Sequence, residues 1–319
     1  MTKIWPQFLP KSASGRRKFA LFLLPLLLSC QSVENTRKVA VHMSQTAQEL
    51  RDFYMALTVT VAQQAELERL QSAFFAVPLS QQDLTQLESI QEELKKRSEM
   101  AESLSEFSQT LAEFAGPKTK ETVAQSATNL GSALAGIQQL PGTGFAPEAL
   151  QHSGNLLVQW IQQRNTRKMA QAMDSTLAAL AEMFSREKPA YDSINRTYME
   201  LAQSLALELL RRKQIRFDSL ALPALKPFGL VPAVPAEASS SSLQEYARKQ
   251  ITERTDEEMA AYVKASEGLQ EMLDFMAQRT HALASGGPLP VREPQPKSTE
   301  IERWVHLVAG ESKTCENSP

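Results

Sequence analysis

The sequence predicts an all-α protein: an elongated antiparallel bundle of long, coiled-coil-like helices with a proline-rich C-terminal tail. Three observations carry this. Glycine supplies only 12 of 319 residues, and the polar positions hold mainly Gln, Glu, Ala, Ser and Lys, a composition that favours helix. No glycine or proline interrupts residues 31–77. Apolar residues recur at alternating steps of four and three, the seam of one helix packing on another, and no segment reads as a strand.

The first helix buries Met43, Ala47, Leu50, Tyr54, Leu57 and Val61, after which the phase slips to Leu67, Leu70 and Phe74 before Pro78 ends the run. Ser80 with Asp83 three residues on is an N-cap signature. The second helix turns Leu87, Ile90, Leu94, Met100, Leu104, Phe107, Leu111 and Phe114 inward. The pairs Glu92/Lys96 and Glu93/Arg97 are expected on its outer face. Gly116-Pro117 stops it.

A shorter helix over about 119–140 has Val123, Ala127, Leu130, Leu134 and Ile137 as its seam, and "LPGTGFAP" at 140–147 is a loop. Pro147 opens a long helix to about residue 187, with Leu150, Leu157, Trp160, Ile161, Met169, Met173, Leu177, Leu180 and Phe184 inward. Pro189 is expected to kink or restart it before Tyr191, Ile194, Tyr198, Leu201 and Leu205 continue the spacing.

Prolines at 223, 227, 232 and 235 forbid regular structure there. Ser242 and Glu245 then cap a last long helix toward residue 284, with Ile251, Met259, Val263, Leu269, Met272 and Met276 inward. Gly286-Gly287 ends it, and prolines 288, 290, 294 and 296 make a semi-rigid spacer of roughly 30 Å. The spacer leads to one amphipathic segment, Ile301, Trp304, Val305 and Val308. Short breaks between long helices imply antiparallel neighbours.

The N-terminal end is organised differently. Lys3, Lys11, Arg16, Arg17 and Lys18 precede an apolar run at 19–28 that contains no charge. Ten residues fall well short of the roughly 20 that span a bilayer, so the pattern is that of an export signal. The run ends Leu27-Leu28-Ser29-Cys30, which resembles the lipobox of bacterial lipoproteins. That resemblance covers about the first tenth of the chain and implies cleavage between Ser29 and Cys30, with Cys30 acylated on its sulfur and amino group. Several acyl chains hold a protein far more firmly than one. Gln31 after the cysteine, rather than an aspartate, resembles an outer-membrane sorting signal of Gram-negative lipoproteins. Gly15-Arg16-Arg17-Lys18-Phe19-Ala20 also partly resembles a twin-arginine signal, although the leucine-rich run suits the Sec route better. The implied organisation is a signal peptide over 1–29, a long-helix bundle over 30–285, and a linker with an amphipathic tail segment over 286–319.

Loss of residues 1–29 would leave 29 basic against 36 acidic residues, a net charge of about −7, which argues against nucleic acid as a partner. Two cysteines, Cys30 and Cys315, are too few for a disulfide scaffold. None of the four histidines (His42, His152, His281 and His306) follows a glutamate by three residues, so the di-iron pattern is missing. No zinc helix, phosphate loop or serine elbow occurs. Catalysis, cofactors and metal are therefore not expected.

Two segments bear on partners. Arg211, Arg212, Lys213 and Arg216 form the densest basic cluster after the signal, which reads as favourable charge at a helix C-terminus or as a contact for lipid headgroups or an acidic partner. Gly131 to Gly136 lies in the least charged stretch, 122–161, either a tightly packed bundle core or a hairpin able to enter a membrane. The leading expectation is a lipid-anchored scaffold or adaptor of the cell envelope. It would bind a protein partner through its helix faces or the segment Ile301, Trp304, Val305 and Val308. The alternatives are a carrier or sensor of an apolar ligand held near Trp160 and the methionines, or a membrane-active protein using the 122–161 hairpin.

Overall fold

The computed structural model describes residues 15–113, 119–141, 143–163, 166–214, 241–290 and 298–308, with side chains from residue 34 onward except at 119–120, 162–163, 166–167 and 298. Among the described residues seven helices follow in order: α1 (Gly15–Phe75), α2 (Gln81–Ala112), α3 (Thr119–Gly136), α4 (Glu148–Gln163), α5 (Thr166–Arg211), α6 (Ser241–Ser285) and α7 (Ser298–Val308). No strand occurs among the described residues. Each helix packs on its neighbour in sequence, and α1 also packs on α5, α6 and α7.

Interhelical bonds fix the directions. Ser44 meets Ser105 across α1 and α2, Thr110 meets Ser126 across α2 and α3, and Tyr262 reaches Asp192 across α6 and α5. Second contacts, Gln64 lining one cleft with Leu87, Arg97 bonding Gln138 just past α3, and Gln270 bonding Ala181, show one number rising as the other falls in each pair, so these neighbours are antiparallel. At 61 residues α1 spans about 90 Å.

The seams lie where the periodicity puts them. Met43, Ala47, Leu50, Tyr54, Leu57 and Val61 are buried, as are Leu94, Met100, Leu104, Phe107 and Leu111 opposite them. The Ser80 hydroxyl accepts from the Asp83 N–H at 3.2 Å and starts α2.

Several expectations are corrected. Leu70 and Phe74 are exposed, since at the end of α1 it is Gln71 and Phe75 that face the last turns of α5. In α6 the buried residue is Tyr262 and Val263 faces solvent, a shift of one position. The single helix expected from 147 onward is two, with α4 ending at Gln163 and α5 starting at Thr166. Pro189 neither ends nor restarts α5, which continues through it. The proline-rich segments at 222–236 and 291–297 lie outside the described residues.

The α3–α4 hairpin packs against α2 on one side and α5 on the other. Its crossing uses a glycine pair other than the expected one. A Cβ on Gly154 would meet the Gly131 carbonyl oxygen at 2.8 Å, and one on Gly131 would meet the Gly154 oxygen at 3.2 Å, whereas Gly136 faces open space. Both crowded atoms belong to backbone, so neither helix can yield alone. Gly154→Ala is expected to cost about 1–3 kcal/mol, while Gly136→Ala should leave stability within about 0.5 kcal/mol of the parent. Paired thermal melts check the contrast.

Helix ends explain the basic cluster. Lys213 adopts φ 59, and the Gln214 N–H donates to the Leu209 carbonyl at 2.9 Å, a left-handed stop. Arg211 and Arg212 both bind Glu208, whose carboxyl they hold down to about 2. The Arg212 guanidinium lies 4.3 Å from the centre of the Phe75 ring. Arg216 lies outside the described residues.

Candidate functional site

The most demanding chemistry in the bundle is a charge that sequence reasoning placed in water. Arg97 on α2 is 0% exposed and Glu93, one turn earlier, is also buried. The pair spaced four apart faces the core rather than the solvent. Arg97 Nε donates to Glu187 Oε2 at 2.9 Å and Nη2 to Glu187 Oε1 at 2.6 Å, a bidentate pair with α5. Its Nη1 donates to the Glu93 carbonyl at 2.9 Å, and Nη2 also reaches the Gln138 carbonyl at 2.8 Å. Glu93 accepts from Lys96 at 2.6 Å and from the Gln138 N–H at 3.3 Å. One guanidinium thus ties α2, α5 and the loop that closes the α3–α4 hairpin.

Two tyrosines extend the network to α1. The Tyr191 hydroxyl donates to Glu187 Oε2, and the Tyr54 hydroxyl lies 3.4 Å from that of Tyr191. Since the Tyr191 proton is committed to the carboxylate, Tyr54 is the donor in that contact. Burial, then the neighbouring negative groups, pushes both phenols upward. Burial, the largest single influence, opposes the charge on Arg97, and the bond to Glu187 together with the attraction of Tyr191, Glu187 and Tyr54 outweighs it, so the net shift is upward. These shifts keep both tyrosines as neutral hydrogen-bond donors and Arg97 as a fixed cation. The arrangement clamps α1, α2, α5 and the loop after α3 together.

Beside the network Phe53 sits in a box of aromatic rings. Its centroid is 5.4 Å from Phe184, 6.1 Å from Tyr191, 6.1 Å from Tyr262 and 5.1 Å from Trp304. The Tyr262 hydroxyl donates to Asp192 at 2.8 Å, and Lys188 holds the same carboxylate at 3.1 Å. Trp304 arrives from α7, in the groove between α1 and α6. The expectation that Ile301 and Trp304 face a partner is therefore corrected: both are buried in the chain's own core, with Val305 and Val308 half-buried around them. Arg303 bonds Glu257 on α6 at 2.7 Å, and Gln63 on α1 donates to the Val308 carbonyl at 3.3 Å.

The seat of α7 also holds a carboxyl in an unfavourable place. Burial, followed by Glu302 and then Asp52, raises Glu49 to about 7. In the unfolded chain this group ionises near its ordinary value, so between about pH 4.5 and 7 the folded state holds the extra proton and stability falls as pH rises. Below that window the folded protein incurs no penalty at this site, and above it the penalty is complete. With the group half exposed, the penalty is on the order of 1 kcal/mol. Glu49→Gln should raise the melting temperature at pH 8 and leave it nearly unchanged at pH 4.5. Equal gains at both pH values would overturn this.

The remaining sequence-singled residues are dispersed. Trp160 packs edge-on to Phe107 with centroids 6.3 Å apart, and Met43, Met100, Met173, Met183 and Met276 are buried among core side chains. Cys30 lies on the helical backbone of α1, where side chains are outside the description, and Cys315 lies beyond the described residues. Among the described residues no group of three or more His, Cys, Asp or Glu is placed to hold a metal ion, and no helix is long and apolar enough to cross a membrane. Compared with known protein families, with curated proteins and with solved structures, the chain matches none.

Proposed function

We propose that this chain is a lipid-anchored scaffold of the bacterial cell envelope, holding a rigid helical bundle close to a membrane and binding a protein partner at the bundle's far end. The observation that carries the reading is a distance. Cys30, the acylation position implied by Leu27-Leu28-Ser29-Cys30, is nine residues from Val39, the first fully buried core residue of α1. With the intervening backbone helical, the core begins about 14 Å from the anchor. The bundle would then stand close to the bilayer, the outer membrane in a Gram-negative cell by the sorting resemblance of Gln31, with α1 as its post.

The other end of α1 supports the partner half of the reading. Leu70, Phe74, Val77 and Leu79 are exposed there, Phe74 at 49%, an apolar cluster of the kind that marks interaction sites. It replaces the α7 segment, which is occupied by the bundle itself.

Cys30→Ala is expected to move the protein from the membrane to the soluble fraction with an unchanged melt; continued membrane fractionation would refute the anchor. A photo-crosslinker in place of Phe74 should capture one partner from intact cells, and one in place of Gln125 on α3 should not.

A further inference from the structure

The seat of α7 between α1 and α6 is tight on its apolar side and poorly matched on its polar side. Ile301 and Trp304 are buried there. In the first turn of α7, however, Glu300 Oε2 is buried and no described residue donates to it. At the other end of the seat, Gln63 of α1 gives its Nε2 to the Val308 carbonyl at 3.3 Å, which leaves its own Oε1 buried without a donor. A buried acceptor with no donor costs the fold its desolvation. Both oxygens would regain water if α7 lifted.

Charge acts in the same direction. Seating α7 brings Glu302 to Glu49 of α1, with Asp52 one turn further along α1. The cations nearby are already engaged: Arg51 holds Asp52 at 2.9 Å, and Arg303 holds Glu257 of α6 at 2.7 Å. His306 is the other titratable side chain of α7, four residues beyond Glu302. No charge on α2, α5 or α6 weighs on Glu49 as Glu302 and Asp52 do. Burial, then Glu302, then Asp52 hold Glu49 toward its protonated form while α7 is seated. The seated helix thus binds a proton that the lifted helix releases, and acid favours the seat.

We propose that α7 is a strap that closes over the groove in acid and lifts from it as pH rises, uncovering Phe53 and Tyr262 while the other helices stay packed. The connection through residues 286–297 keeps the lifted helix near its groove, so closure is an intramolecular event at high effective concentration. The device is independent of the lipid anchor. It also separates two roles on α7: Ile301 and Trp304 hold the strap, and Glu300 and Glu302 loosen it.

Amide hydrogen exchange of the full chain at pH 5.5 and pH 8, corrected for the intrinsic effect of pH on exchange, tests the proposal. Amides of α7 should be less protected than those of α2 at both pH values, the mark of an opening of their own. Protection in α7 should fall about fivefold between pH 5.5 and pH 8. Glu49→Gln should cancel most of that fall, and Glu302→Gln, at an exposed position, should reduce it. Equal protection of α7 and α2, no fall in α7, or a full fall in Glu49→Gln would each overturn the proposal.

Discussion

Arg97→Met is expected to destabilise the bundle by about 3–5 kcal/mol, the largest effect of any single side chain on α2. Methionine matches the arginine stem in length and leaves little void. The cost comes from what the guanidinium leaves behind. Glu187 would be a carboxylate at 0% exposure with only the Tyr191 hydroxyl donating to it, and the Gln138 carbonyl would lose its donor. Breaking one partner of a buried pair strands the other charge, whereas removing both is far milder. Adding Glu187→Leu to Arg97→Met should therefore recover at least half of the loss. Urea melts of the two single variants and the double variant measure the coupling. Additive losses would mean that the pair does not act as a unit.

Trp304→Ala should cost about 3–5 kcal/mol, on the order of 10 °C in melting temperature. The sequence sets residues 286–319 apart as a linker with an amphipathic tail segment, separate from the bundle. With Trp304 at 1% exposure and its ring 5.2 Å from Tyr262, removal of α7 opens the aromatic box on one side. The truncated chain should bind a hydrophobic dye and melt earlier and less sharply. A Trp304→Ala variant that melts like the parent would show that α7 is an accessory after all.

The parts of the fold visible in the sequence are those set by local spacing. Seam positions from Met43 to Val61, the Ser80 cap and the loop at 140–147 follow from periodicity and turn chemistry. The Glu93/Arg97 pair was misplaced for a physical reason: a four-residue ion pair has the same pattern on a wet face and a dry one. Only Glu187, ninety residues away, reveals which face is buried. The break between α4 and α5 passed unnoticed because residues 162–168 contain no glycine or proline. Periodicity shows that α7 is amphipathic, yet it says nothing of which groove receives it.

The contact between Phe53 and Trp304 joins the first helix to the last, 251 residues apart in the chain. A core closed by so distant a pair cannot be completed until nearly the whole chain is available. Phe53 emerges early and waits, exposed, until almost the whole polypeptide has arrived, and contacts of such separation slow the final assembly. A chain that ends before residue 304 would leave the Phe53 side of the aromatic box open.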